Sequence, residues 1–241
     1  MKVAEKIAKQ IKRIAEDTTF GYKDLDITQD QYLTAAKALE RLQKKGVIKK
    51  VSKGKFYKPK MTVFGELKPS EQELLKPYLY KDGKRIAYIT GNYLYNKLGL
   101  TRQITSVLKI ASQSKRIYIN AGRLKATPIK SYAEVTDANY ELLGFLDAIK
   151  DFKKIPDLNS KSAITILKNS VDKLTAKQLK LMLEYALLYP PRVRALLGAL
   201  LENSTEKTVI KQLKMSLNPL TQYKLPISKK DLPTIINWNI I

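Results

Sequence analysis

The chain has 241 residues, with 45 Lys and Arg against 22 Asp and Glu, so its formal net charge is +23 and its isoelectric point is near 9.9. This excess favours a polyanionic partner. The absence of Cys excludes disulfides, thiol catalysis and thiolate metal sites, and the absence of His removes the commonest general base and zinc ligand.

Hydrophobic residues make up 44% of the chain, enough for one large core or two modest ones. The N-terminus lacks the apolar core of a secretory signal, and the longest aliphatic run, residues 195–201, is too short to cross a bilayer. We therefore expect a cytoplasmic protein of two or three domains with no membrane partner.

The first predicted element is an amphipathic helix whose apolar face includes Val3, Ile7, Ile11 and Ile14. The short segment after it leaves room for one helical turn at Asp24 to Asp26, which we interpret as a reduced second helix. A longer helix then begins at Thr28, the expected N-cap, with Gln31 completing a capping box. Its expected buried stripe consists of Tyr32, Ala35, Ala36, Leu39 and Leu42.

A basic hairpin follows this helix. Gly46 stops the helix, Val47–Val51 is predicted as a strand, Ser52–Gly54 as a tight turn and Lys55–Tyr57 as the return strand. Helix, strand, turn and strand in this order predict a winged helix-turn-helix domain over residues 1–60, a fold that binds DNA.

The outward residues of this domain are the candidate DNA contacts. Base recognition is expected from Gln29, Thr34, Lys37 and Arg41, and backbone contacts from Lys53 and Lys55 on the hairpin, with Lys44 also facing outward. Two alternatives remain open. Lysines on a helix often form only a solvated face, and winged helices also serve as protein-interaction adaptors.

The rest of the chain predicts a linker at 61–69, a small mixed α/β domain at 70–135 and a helical region at 136–241. The α/β domain has a helix capped by Ser70, strands at 85–89, 106–111 and 116–119, and a short helix from Asn92 to Leu98. The irregular apolar tail from Leu217 is expected to pack on the helices. The predicted fold class is therefore α+β.

Three arginines outside the first domain are candidate anion-binding residues. Arg102 lies in the exposed stretch Gly99–Gln103, and Arg192 and Arg194 follow a double proline. The competing interpretation, which we favour, is that Thr101 and Gln103 only cap a loop, and that Arg192 and Arg194 are solvated residues at a helix start.

An enzyme is the rival class. The chain has no Walker loop and no dinucleotide fingerprint, and no cofactor or metal site is predicted. Glu66 and Lys68 have the Glu-x-Lys spacing of a magnesium-dependent nuclease, but this spacing arises easily by chance in a lysine-rich chain. We therefore expect no enzymatic activity.

Two stretches resemble the AbiEi-like antitoxins of bacterial abortive-infection and type IV toxin–antitoxin systems. The first is the helix and hairpin pattern, carried by Leu39, Leu42, Lys45, Gly46, Val47, Ile48, Gly54 and Tyr57. The second and more specific is the strand–helix stretch from Tyr88 to Gln103, which ends in Leu-Gly-Leu-Thr-Arg-Gln. The helical region after Thr136 does not match functional residues of that family.

The resemblance implies a protein with two functions. Its winged helix would bind operator DNA and repress its own operon, and its C-terminal region would counteract a nucleotidyltransferase-like toxin. In such systems the antitoxin acts without a stable complex with the toxin, so no direct contact is expected.

Overall fold

The structure is a computed structural model that describes residues 2–63, 65–67, 69–121, 124–203 and 207–241. The chain divides into two compact units. The first consists of Met1–Gly83 with Ile119–Leu124, and the second of Lys84–Tyr118 with Lys125–Ile241.

The first unit begins with a winged-helix arrangement. Its elements are α1 (Val3–Arg13), β1 (Thr18–Gly21), single 3-10 turns at Tyr22–Asp24 and Gln29–Gln31, α2 (Tyr32–Lys44), β2 (Lys49–Ser52) and β3 (Lys55–Lys58). The three strands form an antiparallel sheet in the order β1-β3-β2. The hairpin of β2 and β3 is called the wing below.

The core of this arrangement comes from the apolar faces that the sequence predicts. Ile7 and Ile11 of α1 pack with Ala35, Ala38 and Leu39 of α2, and all five are buried. The stripe on α2 differs at two positions from the predicted one: Ala38 is buried, whereas Tyr32 is 47% exposed. The Tyr32 ring instead packs against the Tyr22 ring in a tilted arrangement, with 4.6 Å between ring centroids.

The residues after β3 form secondary structure where the sequence predicted a linker and the start of a second domain. Lys60–Thr62 (β4) and Gly65–Leu67 (β5) pair as a second hairpin in the segment expected as a linker. Helix α3 (Glu71–Leu79) also belongs to the first unit, where the Thr19 hydroxyl of β1 donates to the Glu73 carbonyl at 2.9 Å. The short β6 (Tyr80–Lys81) follows, so the first unit extends to Gly83 rather than ending near residue 60.

The second unit starts with strands and one short helix. These are β7 (Lys84–Arg85), β8 (Tyr88–Thr90), α4 (Asn92–Lys97), β9 (Val107–Ser112), and, after β10 (Ile119–Ala121) of the first unit, β11 (Leu124–Lys130). Strand β9 lies between β8, which is antiparallel to it, and β11, which is parallel to it. Gly99, with φ near +79°, ends the α4 segment as predicted. The predicted strand at 116–119 is wrong, because only Ile119 of that segment is in a strand.

Helices make up most of the remainder of the second unit. They are α5 (Tyr140–Asp151), α6 (Ser160–Val171), α7 (Ala176–Ala186), α8 (Pro191–Leu201) and α9 (Lys207–Met215), followed by a 3-10 helix at Pro233–Trp238. The apolar tail packs on these helices as expected: Leu225, Ile227, Trp238 and Ile240 are all part of the buried core. The chain is therefore an α+β protein with an N-terminal winged helix, a mixed middle region and a helical C-terminal region.

Two contacts organise the core of the second unit. Gly198 of α8 lies under the ring of Trp238, where a Cβ atom would come within 2.2 Å of the indole, so the tight packing requires glycine. The Asp147 carboxylate of α5 is buried and accepts hydrogen bonds from the hydroxyls of Tyr88 and Thr90, each at 2.9 Å, and from Lys150 at 2.8 Å.

The surroundings of Asp147 keep two of its hydrogen-bond donors, Tyr88 and Lys150, protonated. Burial and the Asp147 charge raise the pKa of Tyr88, so this phenol stays protonated and donates. Burial alone would lower the pKa of Lys150, but the Asp147 carboxylate more than offsets it and the pKa is raised. The cluster therefore ties β8 to α5 through the hydrogen bonds from Tyr88 and Thr90 to a buried carboxylate, which is also paired with Lys150 of its own helix.

No helix within the described ranges has the length and apolar character needed to cross a membrane.

Candidate nucleic-acid interface

Helix α2 presents a cationic face to solvent on the side opposite its buried residues Ala35, Ala38 and Leu39. Thr34, Lys37 and Arg41 are all exposed on the side away from Ala35 and Leu39. No ion pair among the described residues engages Lys37 or Arg41. Both side chains are therefore available to a ligand, as the sequence predicts.

The beginning of α2 differs from the predicted capping box. The helix starts at Tyr32, and the Thr28 side chain makes no capping hydrogen bond. A 3-10 turn at Gln29–Gln31 takes its place and leads into the helix. Gln29 is exposed on this turn, so it lies before the N-terminus of α2 rather than within its first turn.

The end of α2 carries Lys44 in a surface ion pair. Its ammonium lies 3.0 Å from the Glu40 carboxylate, one helical turn earlier. The hydrogen bond and charge of Lys44 lower the pKa of Glu40. Because both side chains are largely exposed, the pair can open at little cost and release Lys44 to another anion.

Leu33 is an outward residue that the sequence analysis did not select. It is 75% exposed on α2, one turn before Lys37. A leucine outside the buried stripe of an amphipathic helix was the available signal, because an apolar side chain on a cationic face has no core to fill. Its methyl groups lie on the same outward surface as Lys37.

The wing places its cations around a tight turn. Gly54, with φ near +72°, allows the turn between β2 and β3, and Lys53 is exposed at its tip. Lys55 is half-buried at the start of β3, where its strand-register partners are Gly21 of β1 and Ser52 of β2. Lys50 of β2 adds an exposed cation that the sequence analysis did not single out.

A polar contact joins the base of the wing to the second hairpin. The Tyr57 hydroxyl donates to Glu66 at 2.7 Å, and Lys49 forms an ion pair with the same carboxylate. Burial, followed by the hydrogen bond to Glu66, raises the pKa of Tyr57 to about 12. Glu66 is therefore committed to fixing the wing.

Glu66 and Lys68 are the two residues on which the nuclease alternative rests. Glu66 is bound to Tyr57 and Lys49, and Lys68 lies outside the described residues. Across the part of the chain that the structure describes, no group of three or more Asp or Glu side chains is arranged to hold a metal ion.

The three candidate anion-binding arginines lie in different settings. Arg194 is half-buried and donates from Nη1 to the Ser216 carbonyl at 2.9 Å, so it joins α8 to the end of α9. Arg192 is exposed in the first turn of α8. Arg102 is exposed in a cavity of about 570 Å³ that it shares with Asp157, Asn159 and Ser162.

The loop around Arg102 matches its structural interpretation. The Thr101 hydroxyl accepts from the Gln103 backbone N–H at 3.1 Å, and the Asn96 amide donates to the Thr101 carbonyl at 3.1 Å. These bonds cap the loop after α4. Arg194 differs from the exposed Arg192 because one of its guanidinium nitrogens is bound to a backbone carbonyl.

The fold resembles that of a solved structure across most of its length. The crystal structure of the RV2827C protein from Mycobacterium tuberculosis matches with a TM-score of 0.54 and 13% sequence identity, covering 91% of this chain and 83% of that one. At that identity the likeness concerns the fold alone. No curated protein matches the sequence.

A family model matches residues 6–131, which include the winged helix and the strands of the middle region. Since this match spans more than half of the 241 residues, the chain belongs to DUF6088, a family of unknown function.

Proposed function

We propose that this chain binds double-stranded DNA through its winged helix and acts as a transcriptional regulator. The observation that carries the proposal is the outward face of α2. Its residues Thr34, Lys37 and Arg41 are exposed while the opposite face is packed, and the cationic wing follows directly in the chain. This combination is typical of a recognition helix with a flanking backbone contact.

The dimensions of α2 suit the major groove. A helix with its side chains is about 10–12 Å across, and the groove is about 12 Å wide. In this docking Arg41 and Lys37 reach guanine edges or phosphates, and Gln29 and Thr34 reach bases near the start of the helix. Lys44, Lys53 and Lys55 contact the flanking backbone.

The net charge of +23 supports a polyanionic partner. Each phosphate that Lys or Arg neutralises releases condensed counterions, so binding weakens steeply as salt rises. Charge alone yields only nonspecific binding. Sequence preference at salt near physiological concentration is therefore the property that separates a regulator from a basic protein.

The regulatory context of the proposal rests on the resemblance to AbiEi-like antitoxins. On that basis the operator lies in the chain's own operon, in the cytoplasm, and the C-terminal region counteracts a nucleotidyltransferase-like toxin without a stable complex. The stretch from Tyr88 to Gln103, which carries the more specific part of the resemblance, forms β8, α4 and the capped loop after it.

The experiment that tests DNA binding is fluorescence anisotropy with a duplex from the chain's own upstream region and a scrambled duplex of equal length, over a salt series. We expect a preference for the upstream duplex that persists near physiological salt. Equal, salt-labile binding to both duplexes would reject the regulator. An interaction with a protein that is insensitive to salt would favour the adaptor alternative, and metal-dependent cleavage of the duplex would favour the nuclease.

A second experiment separates repression from toxin neutralisation. The neighbouring gene is expressed with the parent chain or with Lys37→Ala/Arg41→Ala, both from a promoter outside the operon. We expect the double variant to lose repression of an operon reporter and to keep protection from the toxin. Failure of the parent to protect would remove the antitoxin part of the proposal and leave DNA binding untouched.

A further inference from the structure

A second cationic site lies in the second unit, where two parallel strands end side by side. The last residues of β9 and β11, Ser112 and Lys130, are register partners. The Ser131 backbone N–H donates to the Ser112 carbonyl at 3.1 Å, so the two chain ends remain together past the sheet. The loop that leaves β9 then runs from Gln113 to Tyr118.

This edge contains a cavity of about 520 Å³, which we call the basic pocket. Its polar and aromatic lining includes Gln113, Ser114, Lys115, Arg116, Tyr118 and Lys130. The volume falls within the range of about 300–1,000 Å³ that is usual for sites of small ligands. The pocket is therefore large enough for one nucleotide.

The charge in the basic pocket is of one sign. Lys115, Arg116 and Lys130 are exposed, and no ion pair within the described ranges engages any of them. No Asp or Glu is among the described residues that line the cavity. Three cations without a local counter-ion attract an anion, and the planar Arg116 guanidinium suits two oxygens of one phosphate.

Tyr118 adds an aromatic ring, which a site for a simple anion does not require. Its side chain is 68% exposed beside the cations, although aromatic rings are usually covered. An exposed ring next to a cationic groove is the arrangement by which proteins stack an unpaired base while holding its phosphate. The bases of an intact duplex are stacked on each other and do not offer this face.

We propose that the basic pocket binds a nucleotide, with Lys115, Arg116 and Lys130 on its phosphate and Tyr118 against its base. The ligand is either one unit of a single strand or a free nucleotide. This site goes beyond the proposed function, because it is formed by residues of the second unit and needs no residue of α2 or the wing.

The test uses the full chain and a fluorescein-labelled thymidine oligonucleotide of about twelve nucleotides, within the site sizes of single-strand binding proteins. We expect Lys115→Ala/Arg116→Ala to weaken binding about tenfold or more, because it removes charge-assisted bonds to phosphate. Tyr118→Ala should weaken binding about 5- to 150-fold, and Tyr118→Phe should retain it.

The matched control is Lys177→Ala/Lys180→Ala, which removes two exposed cations from α7 of the same unit. This control should bind the oligonucleotide like the parent. Equal losses in both double variants would reduce the site to general charge and overturn the proposal. Parent-like binding by Tyr118→Ala would overturn it too, provided that the melting temperatures of all variants match the parent's.

Competition identifies the source of the ligand. Displacement of the oligonucleotide by thymidine monophosphate, but not by the same concentration of inorganic phosphate, supports a site for a free nucleotide. Displacement only by unlabelled oligonucleotide supports a site for single strands. Equal displacement by inorganic phosphate and the nucleotide would overturn the role of Tyr118.

Discussion

Residues on α2 and on the wing are expected to contribute differently to DNA binding, the first to sequence preference and the second to affinity for any sequence. Arg41 is exposed, without an ion pair among the described residues, on the helix that the proposal places in the groove. Lys53 is exposed at the tip of the wing, which the proposed docking places beside the DNA backbone. Contacts with base edges carry sequence information, whereas contacts with phosphate do not.

The first prediction compares these two residues. Arg41→Ala should cost about 1–3 kcal/mol of operator binding and reduce the preference over a scrambled duplex. Lys53→Ala should weaken both duplexes alike and lower the slope of log K against log salt by about one. Anisotropy titrations measure both effects. If both variants kept the parent's affinity and slope, the docking of α2 and the wing would be wrong.

The second prediction concerns Leu33, whose exposed methyl groups suit the C5-methyl group of thymine in the major groove. Leu33→Ala should leave the stability within about 0.5 kcal/mol of the parent's, because the side chain is on the surface. It should weaken operator binding about fourfold, the effect of burying about one methylene.

Replacing thymine with uracil in the operator gives the matching control, because it deletes only the methyl group. At one position of the site, uracil should weaken binding of the parent but not of Leu33→Ala. Equal weakening of both proteins by uracil at every position would show that Leu33 does not read thymine.

At the scale of elements, the wing is fixed by contacts outside the hairpin itself. Tyr57 and Lys49 both bind Glu66 of β5, and the Ser52 hydroxyl lies 2.6 Å from the Tyr78 hydroxyl of α3. A short hairpin alone is only marginally stable in water. These contacts therefore hold the wing in position before any ligand binds.

The third prediction concerns Tyr57→Phe. Loss of the hydrogen bond to Glu66 should reduce the free energy of unfolding by about 1–2 kcal/mol at neutral pH. Because the pKa of Tyr57 is raised to about 12, its contribution is complete below pH 10 and is lost between pH 10 and 12. The parent should therefore lose stability relative to Tyr57→Phe in this window.

Urea unfolding followed by circular dichroism at several alkaline pH values measures this difference. Tyr118→Phe, a change at an exposed tyrosine, is the control and should follow the parent throughout. A constant gap between the parent and Tyr57→Phe from pH 9 to pH 12 would contradict the assigned role of the Glu66 contact.

The sequence predicted those elements whose signals are local. Helix α2 and the wing follow from apolar spacing, Gly46 and Gly54, all within one short stretch. Strand β1 was missed because it is defined by pairing with β3, which is distant in the sequence. The parallel pairing of β9 with β11 was missed for the same reason, and with it the basic pocket.

The sequence predicted which residues of the candidate site are exposed better than it predicted how they are arranged. Lys37 and Arg41 are exposed as expected, because helical periodicity fixes which residues leave the core. The 3-10 turn before Tyr32 was not predicted, since Thr28 and Gln31 fit a capping box equally well. The bond from Arg194 to Ser216 depends on how α8 and α9 pack, which spacing alone does not encode.

At the scale of the whole molecule, the second unit depends on a charged cluster inside its core. Asp147 accepts bonds from β8 and from Lys150, and it is almost fully buried. Removing one member of a buried ion pair leaves the other without compensation, which typically costs about 3–5 kcal/mol. The stability of this unit is therefore sensitive to a single carboxylate.

The fourth prediction is that Asp147→Asn destabilises the second unit by about 3–5 kcal/mol. The fluorescence of Trp238, the only tryptophan of the chain, reports on this unit during urea unfolding. Asp172→Asn, at an exposed carboxylate after α6, should stay within about 0.5 kcal/mol of the parent. A midpoint for Asp147→Asn equal to the parent's would disprove the structural role of the cluster.

The contact between Gly198 and Trp238 can form only late in the synthesis of the chain, because Trp238 is translated 40 residues after Gly198. Helix α8 leaves the ribosome with an open groove over Gly198, and the indole that fills it is made only after α9 and the tail. During that interval the apolar residues of α8 lack their final cover and can meet the wrong surface. Release of the nascent chain before Trp238 should therefore yield a protein that aggregates or is degraded, even though α1 to α9 have been translated.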